Sequence, residues 1–179
     1  MTGGPPVARA GRLTMLVSGP SAAVAAARPL LELMGRQVFV LGDRPGMAQL
    51  MKVVNNIVMG ANMVAACEGL SMGAKAGLDP AAMLQVLGAG TAQSFAACEI
   101  LQRGVAGSFD FGAALSILDK DMALGLSEAA ALGTTVPVIE RARDQWHAAY
   151  AAGLGALDFT AILQFVEQRN GTLVRARKT

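Results

Sequence analysis

GDRPGMAQLMKVVNNIVMGANMVAACEGL, residues 42–70, is the stretch on which the fold turns. From Pro45 to about Gly77 apolar side chains recur at helical spacing, which predicts one long helix. Lys52 and Asn56 stand four apart and share one face of it, with Asn55 beside them. Val53, Val54, Ile57, Val58 and Met59 crowd the same two turns. A lysine so placed loses hydration, which lowers its pKa toward the range useful for proton transfer. Spacing alone leaves a plainer reading open, in which Lys52 extends its charge to solvent and the asparagines pack between helices. Gly69, Gly73 and Gly77 also fall four apart. A glycine inside a helix costs up to ~1 kcal/mol relative to alanine, so the stripe predicts close approach of another helix.

Upstream, residues 1–12 are rich in Gly, Pro and Arg and read as a loop. Leu13 to Val17 is a β-favouring run ended by Ser18-Gly19-Pro20, so it predicts a strand. Ser21 is placed to N-cap a helix over AAVAAARPLLELM, with Pro29 delaying or kinking it and Gly35 as its stop. Val38 to Leu41 reads as a second strand. A βαβ unit needs more strands beside it to bury both faces of its sheet, and everything after Gly42 reads as helix. The first 42 residues are therefore expected to be the end of a larger sheet, cut short or completed by a partner. Downstream, Asp79-Pro80 opens a helix to about Leu87. The loop GAGTAQS follows, then helices over about 95–103, 113–132, 137–152 and 159–169, the last capped by Asp158, with residues 109–111 as a linker. No internal repeat is evident.

Composition narrows the class. Of 179 residues, 53% are hydrophobic and 16% charged, enough core for one domain or one and a half. Aromatics at 4%, with 21 Gly and 10 Met, suit close-packed helices and argue against a β-sandwich. A net charge of +2 is too small for a nucleic-acid binder. The one basic cluster, Arg175, Arg177 and Lys178, reads as a solvated, frayed tail. Cys67 and Cys98 follow no metal or CxxC spacing and read as reduced, buried thiols of a cytoplasmic protein. The single His147, beside Trp146, reads as a helix-surface residue, so no metal is expected. Arg9 and Arg12 ahead of LTMLVSG imitate a secretory signal, but Gly19-Pro20-Ser21 interrupts the apolar run. The apolar stretch 53–67 carries three Asn and is shorter than the ~20 residues a bilayer requires, so no membrane span is expected.

Several motifs, taken together, resemble the β-hydroxyacid dehydrogenase family, which includes 3-hydroxyisobutyrate and tartronate semialdehyde reductases. They are GMAQLMKVVNN (Gly46–Asn56) on the long helix, EGLSMGAKAGLDP (Glu68–Pro80) after it, FGAALSILDKDMAL (Phe111–Leu124) further on, and the opening TGGPPVARAGRLTMLVSG (Thr2–Gly19). Their order matches the family's, and the likeness runs from Thr2 to about Glu167. The resemblance implies a mostly α fold: a helical 6-phosphogluconate dehydrogenase-like carboxyl-terminal domain, preceded by a short βαβ remnant of a Rossmann domain. It implies that Lys52 is the general acid/base that removes the hydroxyl proton as hydride leaves for NAD(P)⁺, or donates it in reduction. Asn56 would hydrogen-bond the substrate, with Asn55 in support. Gly3 and Gly4 would offer backbone N–H groups to the substrate carboxylate, helped by the Thr2 hydroxyl. Lys120 would reach cofactor or substrate, Asp121 would orient nearby groups, and Phe111 would wall the nicotinamide pocket. For Asp121 a surface ion pair, and for Phe111 core packing, remain as alternatives.

Three departures refine this. Thr2 stands where Ser is usual and keeps the hydroxyl. Asn55 stands where related 6-phosphogluconate dehydrogenases have His, which disfavours a sugar phosphate. Lys52 argues against the related imine reductases, in which that position is commonly another residue. The largest departure is the lack of GxGxxG, whose glycines let a pyrophosphate meet a helix N-terminus. Gly88-Ala89-Gly90-Thr91-Ala92-Gln93 is only a partial match and follows a helix rather than a strand. The expected division is therefore a Rossmann remnant over 1–42, a catalytic and dimerisation domain over 43–170, and a basic tail over 171–179. The expected activity is NAD(P)-dependent oxidation of a small β-hydroxyacid or reduction of a semialdehyde, weak or absent in this chain alone. A homodimer or homotetramer is expected, with Gly69 and Gly73 suited to subunit contacts. A non-catalytic helical association module and an imine reductase-like enzyme are the alternatives.

Overall fold

The structure, a computed structural model, describes residues 1–176. It is 67% helical, with two strands among the described residues. Contacts divide it into two compact units, Met1–Asn56 and the chain from Ile57 onward.

The first unit opens on a short helix, α1 (Gly4–Arg9), where a loop was expected. Pro5 and Pro6 read as breakers, but a first helical turn tolerates prolines because its N–H groups have no intrahelical acceptor anyway. β1 (Leu13–Val17) leads into α2 (Ser21–Met34), and β2 (Gly35–Val40) returns parallel to β1, as a βαβ unit must. Ser21 is the first helical residue of α2 rather than its cap; Pro20 holds that position, and no side chain caps the turn. Pro29 sits inside α2 without ending it. At Gly35 a Cβ would meet the Leu13 carbonyl oxygen at 2.4 Å, so glycine is needed where the strands close, beside the register shift between Leu13 and Thr14. Leu30, Leu33, Met34, Phe39 and Val40 are exposed.

α3 (Met47–Lys75) runs from the first unit into the second. By length and composition it could cross a membrane, which corrects the expectation that its apolar stretch is too short. Its carboxyl-terminal half is instead spent on a protein core. Met63, Val64, Cys67 and Leu70 are buried there with Ile100, Leu115, Met122, Trp146, Ile162 and Leu163. The glycine stripe works at one of its three positions. Gly69 faces open space and Gly77 lies beyond the helix end, but at Gly73 a Cβ would lie 2.2 Å from Sδ of Met83 on the next helix, the close approach expected. Helices also approach closely at Gly60 and Gly125, where an added Cβ would lie 2.6 Å from Met122 Sδ and 2.2 Å from Ile57 Cγ2.

Around α3 follow α4 (Pro80–Ala89), α5 (Leu101–Ala106), α6 (Leu115–Ala131), α7 (Pro137–Ala149) and α8 (Ile162–Asn170). A wide turn, Ala96–Ile100, precedes α5, and another, Tyr150–Leu154, follows α7. Asp79 caps α4 by accepting from the Ala82 N–H at 3.0 Å, as its place before Pro80 predicts. Asp158 accepts from the Thr160 N–H at 3.0 Å and the Gly112 N–H at 2.6 Å, so it caps its own turn and anchors the chain entering α6. His147 is half exposed, with Nδ1 3.5 Å from Asp119.

The carboxyl-terminal segment corrects the frayed-tail reading as far as Arg175. Val174 is fully buried, and Arg175 makes a two-pronged ion pair with Glu167, itself 5% exposed. A buried carboxylate holds a cation firmly, because losing that partner leaves an uncompensated charge. Arg177 and Lys178, the rest of the basic cluster, lie outside the described residues.

Both cysteines are free thiols, but only Cys67 is buried; Cys98 is partly exposed. Burial, and then the charges of Glu167 and Glu68, push the Cys67 thiol far above its usual range. The thiolate is the reactive form, so Cys67 should resist iodoacetamide at pH 8 in the native protein and react only on denaturation. Alkylation of native Cys67 at the rate of a free thiol would contradict this packing.

Candidate active site

Two anchors set the positions of the side chains around Lys52. Thr2 is pinned to β1 by a pair of backbone hydrogen bonds with Thr14, 2.9 Å from its N–H and 3.1 Å to its carbonyl. Ser18, just past β1, accepts from the Ala48 N–H at 3.0 Å. That bond satisfies a donor in the first turn of α3, which its own helix cannot do. Lys52 and Asn56 follow one and two turns later.

Between these anchors runs a continuous polar chain. Lys52 Nζ donates to Asn56 Oδ1 at 2.7 Å. Asn55 Nδ2 donates to the same Oδ1 at 3.1 Å and to Thr2 Oγ1 at 3.0 Å. Asn56 is 8% exposed, whereas Lys52, Asn55 and Thr2 are half-buried. The Met1 amino group, lowered below its usual value first by burial and then by the Lys52 charge, lies in the same neighbourhood.

Gly3 and Gly4 follow Thr2 with φ of 130° and 73°, which side-chain-bearing residues rarely adopt. At Gly3 a Cβ would also lie 2.8 Å from Val7 Cγ1. Pro5 and Pro6 have no N–H, so the donors entering α1 are the amides of Gly3 and Gly4. An ammonium held by a carboxamide is a group able to exchange a proton, and a hydroxyl and glycine N–H groups are donors suited to a small anion.

The remaining residues singled out from the sequence lie in the second unit. Phe111 is 6% exposed and meets Phe159 edge to face, with ring centroids 5.1 Å apart. Lys120 is largely exposed and pairs with Asp121, whose side chain is mostly covered. Among the described residues no group of three His, Cys, Asp or Glu could hold a metal ion. A cavity of about 630 Å³ in this unit is lined by residues that include Asn62, Leu70, Asp79, Met83, Gln93 and Ser94, none of them singled out for chemistry. Sequence reading also missed Ser18, because nothing local ties a serine after a strand to a helix thirty residues on.

Comparison with known proteins gives the family. Residues 46–166 match the family profile described as NAD-binding of NADP-dependent 3-hydroxyisobutyrate dehydrogenase. Residues 1–42 match the NAD binding domain of 6-phosphogluconate dehydrogenase. The chain is 34% identical to 3-hydroxyisobutyrate dehydrogenase of Pseudomonas aeruginosa, the match taking in 90% of this chain and 57% of that protein. It is 32% identical to 2-hydroxy-3-oxopropionate reductase of Escherichia coli, over 93% of this chain and 57% of the relative. The solved structure of 3-hydroxyisobutyrate dehydrogenase from Salmonella typhimurium superposes with a TM-score of 0.84 at 27% identity, covering 92% of this chain and 57% of that one. The chain thus spans a little over half the length of these relatives. With most of its helical part under one family profile and its first 42 residues under a related one, the chain belongs to the 3-hydroxyisobutyrate dehydrogenase family of β-hydroxyacid dehydrogenases.

Proposed function

We propose that this chain supplies the acid/base and substrate-binding part of an NAD(P)-dependent oxidoreductase. Its substrate would be a small β-hydroxyacid or the matching semialdehyde, of the 3-hydroxyisobutyrate or 2-hydroxy-3-oxopropionate type. The observation that carries this reading is the chain of hydrogen bonds from Lys52 through Asn56 and Asn55 to Thr2. In it Lys52 Nζ takes the hydroxyl proton in oxidation and returns it in reduction. Asn56 fixes Nζ through Oδ1 and hydrogen-bonds the substrate oxygen beside it, with Asn55 in support. The amides of Gly3 and Gly4 and the Thr2 hydroxyl receive the carboxylate.

NAD(P), when bound, supplies the nicotinamide that accepts or gives the hydride. Among the described residues neither strand passes into a helix through the glycine turn that lets a pyrophosphate meet a helix N-terminus. Lys120, exposed and paired with Asp121, is the group we assign to cofactor or substrate. Phe111 we assign to packing, since its ring has little surface left for a nicotinamide. Gly69, with open space above it, suits the subunit contact of a homodimer or homotetramer, and the free thiols suit a cytoplasmic setting.

Two measurements test this reading. Titrated alone with NADH and NADPH, the chain should show no micromolar binding. Joined behind the dinucleotide-binding part of the Pseudomonas relative, it should oxidise 3-hydroxyisobutyrate or a close β-hydroxyacid. A joined protein that binds the dinucleotide yet turns over no β-hydroxyacid would favour a non-catalytic association module.

A further inference from the structure

The direction of every hydrogen bond in the polar chain follows from one charge. An ammonium can only donate, so the Asn56 atom facing Lys52 Nζ at 2.7 Å must be its oxygen. That oxygen also faces the Asn55 carboxamide at 3.1 Å, so the Asn55 atom there must be the nitrogen. The same nitrogen lies 3.0 Å from Thr2 Oγ1, and its second hydrogen points at the hydroxyl. Thr2 Oγ1 therefore accepts from Asn55, and its own proton must be given to something else. The main chain that carries this hydroxyl is held in place, because both backbone groups of Thr2 are bonded to Thr14.

We propose that Asn55 is a positioning residue: with its carboxamide turned by the Lys52–Asn56 bond, it holds the Thr2 hydroxyl as a donor toward an anion at the Gly3-Gly4 amides. The inference rests on the active-site reading above and deepens it, assigning the preference for a carboxylate to an asparagine that does not itself touch the substrate. A site polarised this way rejects a substrate group that can only donate, since the hydroxyl proton would meet no acceptor. Thr and Ser serve equally at this position, as either hydroxyl can accept from Asn55 while giving its single proton elsewhere.

The test is a double-mutant cycle with 3-hydroxypropionate as the probe, followed by calorimetry on the whole chain. Thr2→Val should weaken binding about tenfold or more, the usual effect of losing a hydrogen bond to a charged group. Asn55→Leu should weaken it several-fold, and the double variant should bind no worse than Thr2→Val alone, because Asn55 acts through Thr2. Thr2→Ser should bind like the parent. Losses that add in the double variant overturn the proposal.

A second readout needs no ligand. The side-chain amide NMR signals of Asn55 should move in Lys52→Met as well as in Thr2→Val. Signals indifferent to Lys52→Met overturn the proposal, whatever the probe does. If the parent chain binds no carboxylate while the amide signals respond to both substitutions, the polar relay stands and the substrate assignment falls.

Discussion

Replacing Lys52 with Met lowers kcat for β-hydroxyacid oxidation by about 10²–10⁴-fold in the chain joined to a family dinucleotide-binding part, the usual span for losing a positioned general acid/base. Met keeps the length and apolar stem, so α3 and its packing are retained while the proton carrier is removed. KM should change far less than kcat, since the carboxylate is assigned to Thr2, Gly3 and Gly4 and not to Nζ. The split separates two readings that spacing left open. A lysine that merely extends to solvent predicts unchanged turnover. The geometry weighs against that, because Nζ is held 2.7 Å from the oxygen of a buried asparagine. Substitution also takes one donor away from Asn56 Oδ1, so part of any loss is a loosened Asn56. Lys52→Arg keeps the charge and the donor to Asn56 but gives up the proton, its guanidinium staying protonated at all accessible pH. It should fail almost as badly as Lys52→Met. A Lys52→Arg protein with near-parental turnover would show that charge alone suffices and would sink the acid/base role.

The parts of the fold set by neighbouring residues were legible, and those set by packing were not. β1, the length of α3, and the caps at Asp79 and Asp158 come from local signals: β-branched runs, helical periodicity, and an acid ahead of a helix. α1 was hidden because Gly3-Gly4-Pro5-Pro6 has the composition of a loop, though prolines fit a first turn. The glycine stripe shows the limit of periodicity most clearly. Spacing tells that Gly69 and Gly73 share a face, but not how much of that face another helix covers: Met83 closes on Gly73 and nothing on Gly69, while Gly60 and Gly125 are close contacts that spacing did not single out. The site divides the same way. Lys52 and Asn56 follow from a separation of four on one helix. Thr2, fifty-three positions from Asn55, entered only through likeness to a family. Ser18 could not have entered at all, because its bond to Ala48 depends on where the sheet delivers the start of α3.

Trp146 is where the second unit is most vulnerable, and Trp146→Ala should remove about 3–5 kcal/mol of stability. The indole is fully buried, and its Nε1–H donates to the Gly60 carbonyl at 3.1 Å. Gly60 exists in the middle of α3 to let this happen: a Cβ there would lie 3.3 Å from Nε1 and 2.6 Å from Met122 Sδ. Tryptophan and glycine are thus one fitted pair, and truncating the larger member leaves a void that neither Met122 nor the helix backbone can close. Domains of this size hold about 5–15 kcal/mol in total, so the variant should be largely unfolded by mild urea, with a lower midpoint and an unchanged slope. Trp146→Phe separates the two contributions. It keeps most of the apolar volume and gives up the hydrogen bond, which predicts a smaller loss of about 1–3 kcal/mol. Were Trp146→Ala to cost under about 1 kcal/mol, the indole could not be filling the gap beside Gly60, and the centre of α3 would have to pack against other side chains.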